Sequence, residues 1–272
     1  MTRTQLIPVA LLAGLGGFVL GRVTSAPSQA DAAPVPAAAV ADTVVATPPP
    51  APAPVATAPA GPPPQEGVTV TDRASAPPPV RDPDDTQRRI ALGGRGTYIE
   101  ALIVQQGGNI YRWPERLFEP LRIWVDPEPP IPDWRPEYAQ RAREAFSEWS
   151  GIGIPVQFIF VVDEANADVK VTWTDRFAEG DSAIGKTWRA TDRYGWVFQA
   201  RIVVALHGPG NEVIPPEWVQ ATARHEVGHL LGLPHSPSEK DIMFPRATVS
   251  SLSAADRATV RLLYTLPPGP AR

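Results

Sequence analysis

The sequence predicts an α+β fold: a twisted mixed sheet, a helix that carries a histidine-rich string, and a further helix at the C-terminal end. Three observations predict it. The composition turns globular near Arg95 and stays so to Leu266, with all eight tryptophans inside that stretch. About 170 residues suffice for one domain with a real core. Within it, short apolar or alternating runs exchange with segments whose apolar residues recur at three and four, in the order β-α-β-β-β-α and then a last helix.

The elements follow in chain order. Residues 97–106 show helical spacing in Tyr98, Leu102 and Ile103 and read as an accessory helix within an N-terminal segment, 89–116. Arg122-Ile123-Trp124-Val125 reads as a strand. A proline-rich turn leads to a helix over 137–150, whose Tyr138, Ala142, Ala145, Phe146 and Trp149 share one face. Pro136 suits the first turn of that helix, where a missing N–H costs nothing. Residues 156–162 and 169–174 read as strands, as do 196–206, most strongly at Ile202-Val203-Val204. After a turn at 211–216 a helix begins near Glu217, and the last helix spans 253–265 with Ser253 as its N-cap. Residues 267–272 read as a tail.

The penultimate helix carries the most informative string. Residues 225–235 read His-Glu-Val-Gly-His-Leu-Leu-Gly-Leu-Pro-His, the pattern H-E-x-x-H-x-x-G-x-x-H. His225 and His229 lie four apart, one above the other on a helix face, so both can reach one metal ion. Imidazole nitrogens bind zinc at roughly 2.0–2.1 Å. Gly232 supplies a left-handed helix exit without a Cβ clash, Pro234 stiffens it, and His235 returns as the third ligand. Three protein ligands leave a fourth position open, the mark of a catalytic site. Glu226 sits beside the first ligand, placed to act as base on a metal-activated water. The alternative is a set of surface histidines without metal, but three of the four histidines in the chain fall in this string.

The string resembles the zinc signature of the metzincin metalloproteases. The resemblance implies a methionine turn beneath the metal, and Asp241-Ile242-Met243-Phe244-Pro245 follows at a fitting distance. Met243 also reads as a gap-filling core methionine, which is compatible with that role. His235-Ser236, Met243 with Pro245, and Leu252-Ser253-Ala254-Ala255-Asp256 make the chain similar to the matrixin branch, as do Ala145-Phe146-Ser147-Glu148-Trp149 and Ala167-Asp168-Val169-Lys170-Val171. The resemblance spans residues 117–266 and implies a metzincin-like catalytic domain. It further implies that the strand at 200–206, with Ile202, Val203 and Val204, pairs with an extended substrate. By the same analogy Pro245-Arg246-Ala247 walls the pocket for the residue after the scissile bond.

Three departures from the family qualify this. The chain has no cysteine, so the cysteine-switch latency of matrixin proforms cannot operate. Residues 165–206 hold no histidine, so a second, structural zinc has no visible ligands. Asp175, Asp181 and Asp192 read as solvated loop acids, with Ca2+ binding as the alternative. Pro245 stands where astacin-like branches place a tyrosine, so no tyrosine assists the transition state from there. His207, outside the string, reads as a surface histidine at a turn.

The ends speak to location. Arg3 precedes a 15-residue apolar run from Leu6 to Leu20, the pattern of a secretory signal over residues 1–25. An uncleaved membrane anchor is the alternative, although a spanning helix needs about 20 residues. Sixteen of the 34 prolines lie between Pro27 and Pro83. Residues 26–88 therefore lack the large apolar side chains that offset ordering entropy and read as an unfolded linker. A formal net charge of −4 gives no sign of nucleic-acid binding. The expectation is a secreted or membrane-anchored extracytoplasmic zinc endopeptidase, monomeric, acting on proteins or peptides. The alternatives are a zinc-binding but proteolytically inactive interaction module of the cell envelope, and an envelope structural protein.

Overall fold

The computed structural model describes residues 67–178, 181–246 and 248–272. Its elements run β1 (Gly67–Thr71), α1 (Pro83–Gly93), α2 (Ile99–Gln105), β2 (Asn109–Ile110), β3 (Arg116–Val125), α3 (Pro136–Ser150), β4 (Val156–Phe160), β5 (Val169–Thr174), β6 (Gly185–Asp192), β7 (Val197–Ala205), α4 (Pro216–Leu230), α5 (Ala254–Leu263) and β8 (Gly269–Pro270). Six strands form one sheet in the order β1-β6-β7-β5-β3-β4. Only the β6–β7 pair is antiparallel, so the sheet is mixed.

Burial follows the strand period. In β5, Val169, Val171 and Trp173 are buried while their neighbours are partly exposed. The buried face receives two helices packed against each other, α3 over β3 and β4 and α4 over β6 and β7. Tyr138, Ala142, Ala145, Phe146 and Trp149 of α3 are all buried, as their spacing requires. The Trp149 indole N–H donates to the Arg224 carbonyl at 3.0 Å, which fixes α3 against α4 one residue before the histidine string. The last helix is closed by a capping box: Ser253 accepts from the Asp256 N–H and Asp256 accepts from the Ser253 N–H.

Four expectations need correction. Order begins within the stretch read as an unfolded linker: residues 67–71 form β1 and 83–93 form α1. Local chemistry explains α1. The Asp82 side chain caps the Asp84 and Asp85 N–H groups and Pro83 occupies the first turn. Composition could not reveal β1, because its hydrogen bonds are supplied by β6. Residues 1–66, which hold the apolar run and most of the proline-rich stretch, lie outside the described residues. No helix among the described residues is long and apolar enough to cross a membrane.

The second correction is β6, absent from the sequence reading. Its inward residues are Thr187, Arg189 and Thr191, so its period-two pattern is polar and hydrophobicity does not show it. Third, residues 267–272 are not a loose tail: Gly269–Pro270 pair with Asn109–Ile110 as β8 on β2. Fourth, His207 is buried. Pairing continues past β7, where Leu206 and His207 donate to the Thr174 and Asp175 carbonyls. Its Nδ1 then lies 2.8 Å from Asp175 and its Nε2 3.3 Å from Asp133.

Candidate active site

Helix α4 places His225, Glu226 and His229 on its inner side, all three buried. The helix stops one residue after His229. Gly232 adopts φ 107°, its N–H returns to the His229 carbonyl, and the Leu233 N–H returns to that of Gly228. This is a Schellman exit, in which the left-handed residue lets the chain reverse and reclaim two helix-end carbonyls. A side chain at position 232 would also run into the Tyr111 carbonyl. The reversal brings His235 back beside the helix, with its ring centroid 5.4 Å from that of His225 and 4.8 Å from that of His229.

The ring nitrogens are sorted by their hydrogen bonds. His225 Nδ1 lies 2.6 Å from the Ile242 carbonyl and His229 Nδ1 lies 2.8 Å from the Leu233 carbonyl. A carbonyl only accepts, so both Nδ1 atoms carry the proton and both Nε2 atoms keep a lone pair. His229 Nε2 is buried without a hydrogen-bond partner. One nitrogen from each of the three rings lies within 4.8 Å of the others. Burial pushes the His225 imidazole down to about 4, against the opposing bond to Ile242. Burial, reinforced by the neighbouring imidazoles, holds His229 well below its ordinary value, and burial lowers His235 as well. Neutral, lone-pair-bearing nitrogens converging in a desolvated site fit a zinc ion. They form the one such group of three among the described residues.

Calcium gains no support from the three acids considered. Asp175 faces His207 and Arg176, and Asp181 faces Lys186 and the Ala183 N–H. Asp192 is buried, accepting from Ser75, the Tyr194 N–H and the Trp196 N–H, which corrects its reading as a solvated loop acid.

Two residues of β6, Thr187 and Gly185, complete the site. Thr187 on β6 donates its hydroxyl to Glu226 Oε2 at 2.6 Å. Gly185, two residues earlier, leaves room for the Glu226 carboxylate, since a Cβ there would fall 2.5 Å from Oε1. Met243 is buried with its sulfur against Gly228, the residue preceding His229 in α4. The methionine turn is itself anchored. Ser236 donates its N–H to the Met243 carbonyl at 2.7 Å and its hydroxyl to Asp241, while Asp256 accepts the Ile242 N–H at 3.0 Å.

A cavity of about 300 Å³ opens beside the histidines, lined by Ile184, Gly185, Trp218, Thr222, His225, Glu226, His235, Pro245 and Arg246 among others. Pro245 and Arg246 thus share this cavity with His225, Glu226 and His235. Ala247 lies outside the described residues. Ile202, Val203 and Val204 do not line the cleft. They are buried in β7, which is paired on both sides, with β5 and with β6, so it has no edge to offer a substrate. Among the described residues, the strand edge at the cleft belongs to β6. β1 pairs with β6 only from Trp188 onward, so Gly185, Lys186 and Thr187 have no β1 partner among the described residues.

The matrixin family model matches residues 214–265, the stretch from the start of α4 through α5. Metalloendoproteinase 1-MMP of Arabidopsis thaliana is 32% identical over 134 residues, which cover 45% of this chain and 36% of the relative. The chain thus spans about a third of the length of that curated relative. The family match and the similarity to this relative, together with the convergent histidines, show a matrixin-like metzincin domain.

Proposed function

We propose that this chain is an exported zinc-dependent endopeptidase. The observation that carries the reading is the meeting of three lone-pair imidazole nitrogens with the Glu226 carboxylate at the head of an open cleft. His225, His229 and His235 hold the ion. When bound, zinc supplies Lewis acidity, acidifying a water and polarising a scissile carbonyl. Glu226 takes the proton from the attacking water and passes it to the leaving amine. Thr187 orients the carboxylate by holding Oε2. The backbone of Gly185 and the N–H of Thr187 receive an extended peptide as an added strand. The Ile184 carbonyl already accepts from Ala205 on β7, so alternation turns the next residue outward. Pro245 and Arg246 wall the pocket beyond the scissile bond. Export rests on Arg3 and the apolar run from Leu6 to Leu20.

The test is zinc content and cleavage of an unbiased peptide library, measured on the full chain with Glu226→Ala alongside. One zinc per chain, with cleavage lost only in the variant, is the expected result. Zinc without cleavage in either protein supports the inactive binding module instead. Cleavage by Glu226→Ala at the wild-type rate removes Glu226 from the mechanism.

A further inference from the structure

The C-terminal end of α4 presents an accounting problem. The last four carbonyls of a helix have no partner within it. Here Val227 accepts from the Leu231 N–H, Gly228 from the Leu233 N–H and His229 from the Gly232 N–H. The fourth, Leu230, is taken by the indole N–H of Trp113 at 2.9 Å. Trp113 is fully buried and lies between β2 and β3 in sequence. The neighbouring residues continue outward along the same exit. Gln106 donates its side-chain N–H to the Gly232 carbonyl at 2.9 Å, and Gln105 donates to the carbonyl of His235 itself at 2.9 Å. The Tyr111 carbonyl packs against Gly232, where no side chain would fit. The stretch 105–113 thus meets the chain at Leu230, Gly232 and His235, across the segment that leads from the second imidazole to the third.

We propose that residues 105–113 are a positioning clamp of the metal centre: Trp113 and Gln106 fix the exit of α4 and thereby hold His235 in register with His225 and His229. This rests on the zinc reading of the three histidines and deepens it. Two imidazoles on a helix are placed by the helix. The third hangs on a loop, and its position is only as definite as the partners of that loop. Outer partners of metal ligands commonly govern affinity by about 10–100-fold. The N-terminal segment 89–116 is therefore more than an accessory to the domain. Its C-terminal half belongs to the site, and proteolysis between Gln105 and Trp113 loosens the centre instead of unmasking it.

The test measures zinc affinity by chelator competition on the full chain, and the melting temperature of the zinc-free protein, for Trp113→Phe and Gln106→Ala. Trp173→Phe is the control, because it removes an indole bond of the same kind, to the Asp126 carbonyl at 3.0 Å, on a strand apart from the histidines. Both clamp variants should weaken zinc binding by about tenfold or more, while the control stays within about twofold of wild type at equal or greater loss of melting temperature. If Trp113→Phe does not fold, Gln106→Ala, which removes one half-buried bond, carries the test. Wild-type affinity in the clamp variants, with only their melting temperatures lowered, makes the segment a merely structural support and overturns the proposal. A wild-type protein that binds no zinc overturns the reading of the histidines, and the clamp with it, and is told apart by the unmutated chain.

Discussion

The Thr187 hydroxyl and the Glu226 carboxylate meet at 2.6 Å, joining an edge-side strand to the helix that carries the imidazoles. A general base is effective only when its carboxylate is held in one orientation, and a buried hydroxyl donor supplies that restraint. Thr187→Val keeps the shape and removes the donor. It should lower kcat by roughly tenfold while zinc content stays at the wild-type level. Thr187→Ser, which restores the donor, should recover most of the loss. Steady-state kinetics on the three proteins, with metal analysis, decides the matter. Equal kcat in Thr187→Val and wild type would mean that Glu226 is oriented by other contacts.

Gly228 and Met243 form a second pair whose fit can be measured. A Cβ at Gly228 would collide with the methionine sulfur and lie 3.2 Å from the buried Trp149 ring. Helix propensity favours alanine over glycine by about 1 kcal/mol, whereas overpacking costs about 1–3 kcal/mol. Gly228→Ala should therefore be destabilising on balance. Met243→Ala in the same chain removes the collision, so the two changes should couple by about 1 kcal/mol or more in a double-mutant cycle read from denaturant unfolding. Additive effects would show that the helix shifts freely over the methionine turn.

Asp256 is the buried hub between α2, the methionine turn and α5. Its carboxylate accepts from the Tyr98 hydroxyl at 3.0 Å, the Ile242 N–H at 3.0 Å and the Ser253 N–H at 2.8 Å. Replacing it by alanine strands three donors, each costing about 1–3 kcal/mol if it stays dry. Asp256→Ala should cost several times more stability than Asp85→Ala, which breaks only exposed pairs with Arg88 and Arg89, worth at most about 1 kcal/mol. Similar unfolding midpoints for the two variants would contradict the hub.

Acid should weaken the zinc-free protein in a defined window. His225 is pushed by burial to about 4, below its ordinary value of 6.5, and His229 and His235 are lowered for the same first reason. The unfolded chain then binds protons that the folded chain refuses. The contribution is whole above pH 6.5 and is lost as pH falls from there through about 4. Unfolding curves at stepped pH should show this loss. Zinc affinity should fall over the same range, since each bound imidazole must be neutral. A His225→Asn protein should lose part of the slope, and an unchanged slope would assign it to other groups.

The histidine triad, the helix bearing two of its members, the glycine exit and the Ser253 cap were all legible in the sequence, because each is written within one or two turns of chain. Spacing of three and four fixes a helix face, and a positive φ at Gly232 favours glycine whatever surrounds it. The rest depended on partners far apart in sequence. Thr187 and Glu226 are 39 positions apart, Trp113 and Leu230 are 117, and Gln106 and Gly232 are 126. β6 stayed hidden because its inward residues are polar, and the strand to which the resemblance assigned the substrate is β7, whose hydrophobicity goes with its place between two other strands. Sequence decided which groups could bind a metal. Only the tertiary structure decided which strand edge faces the site, what holds the third imidazole in place and what orients the carboxylate, since those are properties of neighbours that the chain brings together by folding.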